Sequence, residues 1–176
     1  MDDNVVSVFG TGRAQPGELA YVLAEQVGRA LAQAGFAVAN GGYAGTMRAA
    51  AKGAVEAGGT VISVTCSAFK RSVANEFVTR EVVTDSLEER LHKLVEIGRA
   101  YVVLPGGTGT LLELASVWEF KNKGFLDRVR PVILVGDFWK PLVDLVAADD
   151  SKCMKYVTFV REPGRVPEVI KSELGL

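Results

Sequence analysis

Val102-Val103-Leu104-Pro105-Gly106-Gly107-Thr108-Gly109-Thr110-Leu111-Leu112-Glu113 runs an apolar strand into a glycine-rich turn that opens an apolar helix. Glycines let the backbone come close to a ligand. The unpaired N–H groups of a first helical turn point at that ligand, with the positive end of the helix dipole behind them. The stretch reads as an anion cradle whose natural guest is a phosphate or an equivalent oxyanion.

Outward from this point, short runs rich in Val and Ile alternate with helical patterns. Val5 to Phe9, Phe36 to Asn40, Thr60 to Thr65, Ala100 to Leu104, Val132 to Val135 and Val157 to Val160 are predicted strands. Predicted helices run from Pro16 to Ala34, with Gly35 as the stop, and from Thr46 to Ala57. Others run from Ser86 to near Gly98, from the cradle to about Lys123, from Trp139 to Ala147 and from Pro167 to Leu174. Ser86-Leu87-Glu88-Glu89 has the form of a capping box. Cys66 to Thr84 reads as an irregular loop with room for one short strand, placed near the ligand. This alternation predicts an α/β protein with a mostly parallel sheet and helices on both faces.

The chain has 176 residues, enough for one well-buried domain, and residues 1–176 are read as that domain. Apolar residues are 48% and charged residues 23%, a globular balance, and the net charge of −1 gives no electrostatic case for nucleic acid. No apolar run has spanning length, and Met1-Asp2-Asp3-Asn4 is an acidic start unlike the basic one of a signal peptide, so a cytoplasmic protein is expected. Cys66 and Cys153 are too few and too isolated for a disulfide framework or a zinc site, and are expected to be structural thiols.

Gly10-Thr11-Gly12 and Gly41-Gly42-Tyr43-Ala44-Gly45 also follow predicted strands, so three glycine loops fall at the carboxyl edge of the sheet. Their composition narrows the ligand. The first reads Gly10-Thr11-Gly12-Arg13-Ala14-Gln15 and strand two ends at Asn40, which lacks the third glycine and the acid of a dinucleotide site. Gly109 is followed by Thr110-Leu111 rather than by the Lys-Ser/Thr of a triphosphate-binding loop. A compact anion such as the 5′-phosphate of a mononucleotide remains.

Two charged residues lie against apolar helical stripes. Arg90 sits beside Leu87, Leu91, Leu94 and Val95, where an arginine can face inward, but spacing alone favours one that snorkels or pairs with Glu89 or Glu113. Glu113 is the acid in the first turns of the cradle helix, and Thr110-Leu111-Leu112-Glu113 also fits a capping box, so spacing leaves a cap and a chemical role equally open. His92, two residues from Arg90, falls on another helix face and reads as solvated. No lysine is marked for a Schiff base with pyridoxal phosphate.

Pro105-Gly106-Gly107-Thr108-Gly109-Thr110-Leu111-Leu112-Glu113 matches the PGGxGTxxE motif, and the chain resembles the LONELY GUY family, long labelled as lysine decarboxylases. Ser7-Val8-Phe9-Gly10-Thr11 is similar to that family's opening strand and loop, Gly41 to Met47 resembles its GGGxxGLMG segment, and Arg90 precedes Pro105 by the interval of its catalytic arginine. The likeness runs from about Val5 to Val146. It implies a Rossmann-like three-layer sandwich and a homodimer. It also implies nucleoside 5′-monophosphate phosphoribohydrolase activity, on cytokinin riboside monophosphate or a substrate like AMP.

Leu91 and Leu112 stand where the family usually has Lys and Glu, and Asn40, Thr46 and Arg48 also depart from its hydrolases. These departures resemble a shorter branch that includes molybdenum cofactor carrier proteins, whose resemblance implies a non-catalytic binder or carrier instead. On the hydrolase reading, which is the favoured one, Glu113 stabilises an oxocarbenium-like transition state or activates water. Arg90 then holds the phosphate or keeps Glu113 ionised, and Gly10, Thr11, Gly41, Gly42 and Gly106 to Thr110 surround the phosphate, with no metal or other cofactor required.

Overall fold

The computed structural model describes residues 4–69, 73–127 and 129–176; the acidic start at Met1-Asp2-Asp3 and part of the Cys66–Thr84 stretch lie outside the described residues. The strands are β1 (Val5–Phe9), β2 (Ala37–Asn40), β3 (Val61–Cys66), β4 (Arg80–Thr84), β5 (Ala100–Val103), β6 (Val132–Val135) and β7 (Thr158–Val160). The helices are α1 (Leu19–Gln33), α2 (Thr46–Glu56), α3 (Leu87–Ile97), α4 (Thr108–Asn122), α5 (Lys140–Asp149) and α6 (Val166–Leu174).

These strands form one sheet in the order β4-β3-β2-β1-β5-β6-β7, and every pairing is parallel. Parallel strands covered on both faces read as near-continuous apolar runs, and all residues of β1, β3, β5 and β6 are buried. One core packs side chains of α1, α2 and α6 on one face; a second packs those of α3, α4 and α5 on the other. The result is a Rossmann-like α/β layer structure. The strand order reverses between β1 and β5, so the crevice where ligands bind in such sheets opens between the Gly10 and Gly106 loops.

One helix starts later than the sequence reading placed it, and two short elements fill stretches it left open. α1 begins at Leu19 rather than Pro16, because Gly17 has φ +91° and a helix cannot include it. β4 is the short strand for which Cys66–Thr84 left room; it lies at the edge of the sheet and none of its residues is fully buried. A 3-10 turn at Ser151–Tyr156, which carries no helical period of its own, buries Cys153, whose carbonyl accepts from Trp118 Nε1 at 3.0 Å. Cys66 and Cys153 are both buried free thiols.

Candidate functional site

The three glycine loops meet at the carboxyl edge, and hydrogen bonds tie them together. Thr11 N–H donates to Pro105 O at 3.3 Å, while Thr46 donates to Thr11 O from its N–H at 2.8 Å and its hydroxyl at 3.0 Å. The fit is close where the loops touch. A Cβ on Gly10 would lie 2.4 Å from Thr46 Oγ1, and one on Gly106 would lie 2.2 Å from Thr110 Oγ1. Gly107 and Gly109 differ: an added Cβ on either meets no atom within 4 Å. They and Thr108 are exposed, whereas Thr110 is buried. The first N–H groups of α4, which have no acceptor within the helix, therefore start a helix whose mouth is open.

α4 begins at Thr108 with Gly107 as its cap, so Thr110 lies inside the helix and the Thr110–Glu113 capping box is not formed. The box at Ser86 does cap α3: Ser86 Oγ accepts from Glu89 N–H at 3.1 Å, and Glu89 Oε2 accepts from Asp85 N–H at 2.9 Å. Glu89 is thereby occupied away from Arg90. With α3 started there, Arg90 falls on the inner side of its first turns and is 7% exposed. It does not snorkel. Its Nε donates to Val64 O at 2.9 Å, Nη2 lies 4.0 Å from Met47 Sδ, and Cζ stands 5.6 Å from the Tyr43 ring centroid. Gly41 is what admits it, since a Cβ there would sit 1.6 Å from Arg90 Nη2.

Glu113 approaches from α4. Its Oε1 lies 3.9 Å from Arg90 Nη1, and the two side chains are 14% and 9% exposed. Burial pushes the Glu113 carboxyl up to about 7, with Arg90 pulling the other way. The group therefore takes both protonation states near neutrality, the range a general acid or base needs. His92 is exposed. Among the described residues no three His, Cys, Asp or Glu side chains stand close enough together to hold a metal ion. The donors gathered here are backbone N–H groups, hydroxyls and a guanidinium, a set suited to an anion. No described helix is long and apolar enough to cross a membrane.

The sequence reading passed over two neighbours of this pair. Tyr43, treated only as part of a glycine loop, covers the Arg90 guanidinium and accepts from Cys66 N–H at 2.8 Å. Asn75 donates through Nδ2 to Gly42 O at 2.9 Å and Tyr43 O at 3.0 Å. An isolated Asn in an irregular stretch carries no periodic signal. The aromatic inside a glycine loop was the available clue.

Residues 3–157 match the SLOG cluster4 family. A cytokinin riboside 5′-monophosphate phosphoribohydrolase of Rhodococcoides fascians is 31% identical over 129 residues, 70% of this chain and 64% of that protein, so the chain spans under two thirds of that relative. Among solved structures, the molybdenum cofactor binding protein of Rippkaea orientalis is 28% identical with a TM-score of 0.79, covering 98% of each chain. The molybdenum cofactor carrier protein of Chlamydomonas reinhardtii is 26% identical with a TM-score of 0.80, covering 98% of this chain and 99% of that one.

Proposed function

We propose, for a chain that belongs to the SLOG cluster4 family, that the carboxyl edge binds a nucleoside 5′-monophosphate and hydrolyses its N-glycosidic bond. The observation that carries this reading is the buried Arg90–Glu113 pair set behind an open glycine cradle. The N–H groups and hydroxyls from Gly106 to Thr110 hold the phosphate, with Gly10, Thr11, Gly41 and Gly42 shaping the adjoining wall. On this reading the sugar faces Glu113. As the C1′–N bond breaks, the electron pair leaves with the base and positive charge grows on the sugar, where an ionised Glu113 stabilises it. A water adds at C1′ and gives its proton to the carboxylate, while the base takes up a proton from solvent as it departs and Glu113 afterwards returns its proton to solvent. The products are free base and ribose 5-phosphate. Arg90 keeps a fraction of Glu113 ionised despite its burial.

A second reading, a binder or carrier of a phosphate-bearing heterocycle such as a pterin cofactor, has its own support. The two molybdenum cofactor proteins match over nearly the whole chain, whereas the hydrolase relative matches over part of it. Purified protein incubated with AMP separates the readings. Adenine and ribose 5-phosphate appearing together, and not with Glu113→Gln, support hydrolysis; AMP bound and recovered intact supports the carrier.

We also infer a homodimer. Leu111, Leu112, Leu145 and Val146 expose an apolar stretch along α4 and α5, beside a groove floored by Trp118 and Leu142. Apolar surface of this kind is ordinarily covered by a partner.

A further inference from the structure

We infer that Asn75 is a positioning residue for the Arg90–Glu113 pair, acting through the Gly41-Gly42-Tyr43 turn. The turn requires a glycine: Gly42 has φ +76°, and a Cβ there would lie 2.6 Å from Ser63 Cβ. Asparagines hold it from two sides. Asn40, at the end of β2, accepts from Gly42 N–H at 2.8 Å and donates to Met47 O at 3.0 Å. From the other side Asn75 uses its whole polar inventory. Its N–H donates to Gly42 O at 2.7 Å, its Nδ2 donates to Gly42 O and Tyr43 O, and its Oδ1 accepts from Phe77 N–H at 3.1 Å. Three of these four hydrogen bonds reach Gly42 and Tyr43 and fix where that backbone lies, and the fourth holds the Asn75 side chain to Phe77.

That backbone decides two contacts of Arg90. Gly41 leaves the space its Nη2 occupies, and the Tyr43 ring, held at its far end by Cys66, stands against the guanidinium. Besides these, its Nε donates to Val64 O and its Nη2 lies 4.0 Å from Met47 Sδ, which leaves Nη1 as the nitrogen that faces Glu113. The outer side of the same loop is fastened by Glu76, which pairs with Arg48 of α2, while Arg48 also donates to Tyr21 Oη at 3.3 Å. Asn75 thus sits between a surface ion pair and the buried site. Among the described residues the charged partner of Glu113 is Arg90 from α3, and behind that guanidinium stand Tyr43 of the β2–α2 turn and Cys66 of β3.

The inference rests on the function proposed above only for its choice of this pair, and its test needs no turnover. The Glu113 carboxyl is titrated by 13C NMR on the full chain, its signal assigned by its loss in Glu113→Gln. In Asn75→Ala the turn relaxes, Arg90 moves off the carboxylate, and the midpoint rises by roughly half a pH unit or more. Asn75→Ser, whose hydroxyl can accept from Phe77 N–H and donate once, falls between alanine and wild type, and it reads the same quantity if the alanine variant does not fold. A folded variant that melts earlier yet titrates at the wild-type midpoint overturns the inference, leaving Asn75 as a loop fastener only. Lack of AMP hydrolysis by wild type would count against the proposed reaction and leave this titration unaffected.

Discussion

Replacing Glu113 with Gln should flatten part of the pH dependence of stability, in a direction that helix capping would not produce. The folded carboxyl titrates at about 7 against an ordinary value of 4.5, because burial penalises its charged form more than Arg90 compensates. The folded state therefore binds more protons than the unfolded chain between these values. Stability from this group is fully present below about pH 4.5 and is lost as pH rises through about 7. Between about pH 5 and about pH 8 the loss is roughly 2.5 kcal/mol, equivalent to roughly 5–10 °C in Tm for a chain of this size. Glutamine keeps the shape of the neutral acid and cannot ionise, so Glu113→Gln should lack this loss. Urea unfolding of both proteins at the two pH values gives a double difference in which every other titrating group cancels. Parallel stability changes would refute the claim that Glu113 is a buried acid facing one guanidinium.

Hydrolysis, if carried by ionised Glu113, should rise with pH through about 7 and level off above it, read from initial rates of base release; a flat profile would remove Glu113 from the chemistry. Gly41→Ala should drive a Cβ into the Arg90 guanidinium, costing about 1–3 kcal/mol by chemical denaturation and abolishing turnover, and an unperturbed variant would mean that Arg90 is not seated there. Light scattering at micromolar concentration should give about twice the 18.8 kDa chain mass, and Leu112→Asp should lower it to one chain. A wild-type monomer would refute the dimer.

The layers of this fold were legible because a parallel sheet covered on both faces writes its strands as unbroken Val and Ile runs, as in Val5–Phe9 and Val132–Val135. β4 was legible only as room for one short strand, since Arg80–Thr84 is an edge strand whose charged first residues look like loop. α1 was overextended because helical periodicity continues through Gly17, and only its backbone angle interrupts the helix. At the site, the glycine loops announced themselves by composition, and spacing put Arg90 and Glu113 on apolar stripes without deciding which way either pointed. That decision depended on facts distant in sequence: Val64 O for Arg90, Gly107 rather than Thr110 as the α4 cap, and the occupation of Glu89 by Asp85. Asn75 lies 32 residues from the Tyr43 carbonyl it holds, and no local pattern marks such a bond.

Calorimetry with AMP and adenosine, on wild type and Gly109→Ala, tests the phosphate cradle on which both functional readings depend. Gly109 sits in the first turn of α4 with open space beside its Cβ position, so alanine should fold well and gain roughly 0.5–1 kcal/mol of stability while obstructing the mouth. Wild type should bind AMP more tightly than adenosine by about 2 kcal/mol or more, roughly thirtyfold, from charge-assisted hydrogen bonds to the phosphate. The alanine variant should no longer distinguish the two ligands. Equal affinity of wild type for AMP and adenosine would contradict the cradle and leave Gly106 to Thr110 as a turn between a strand and a helix.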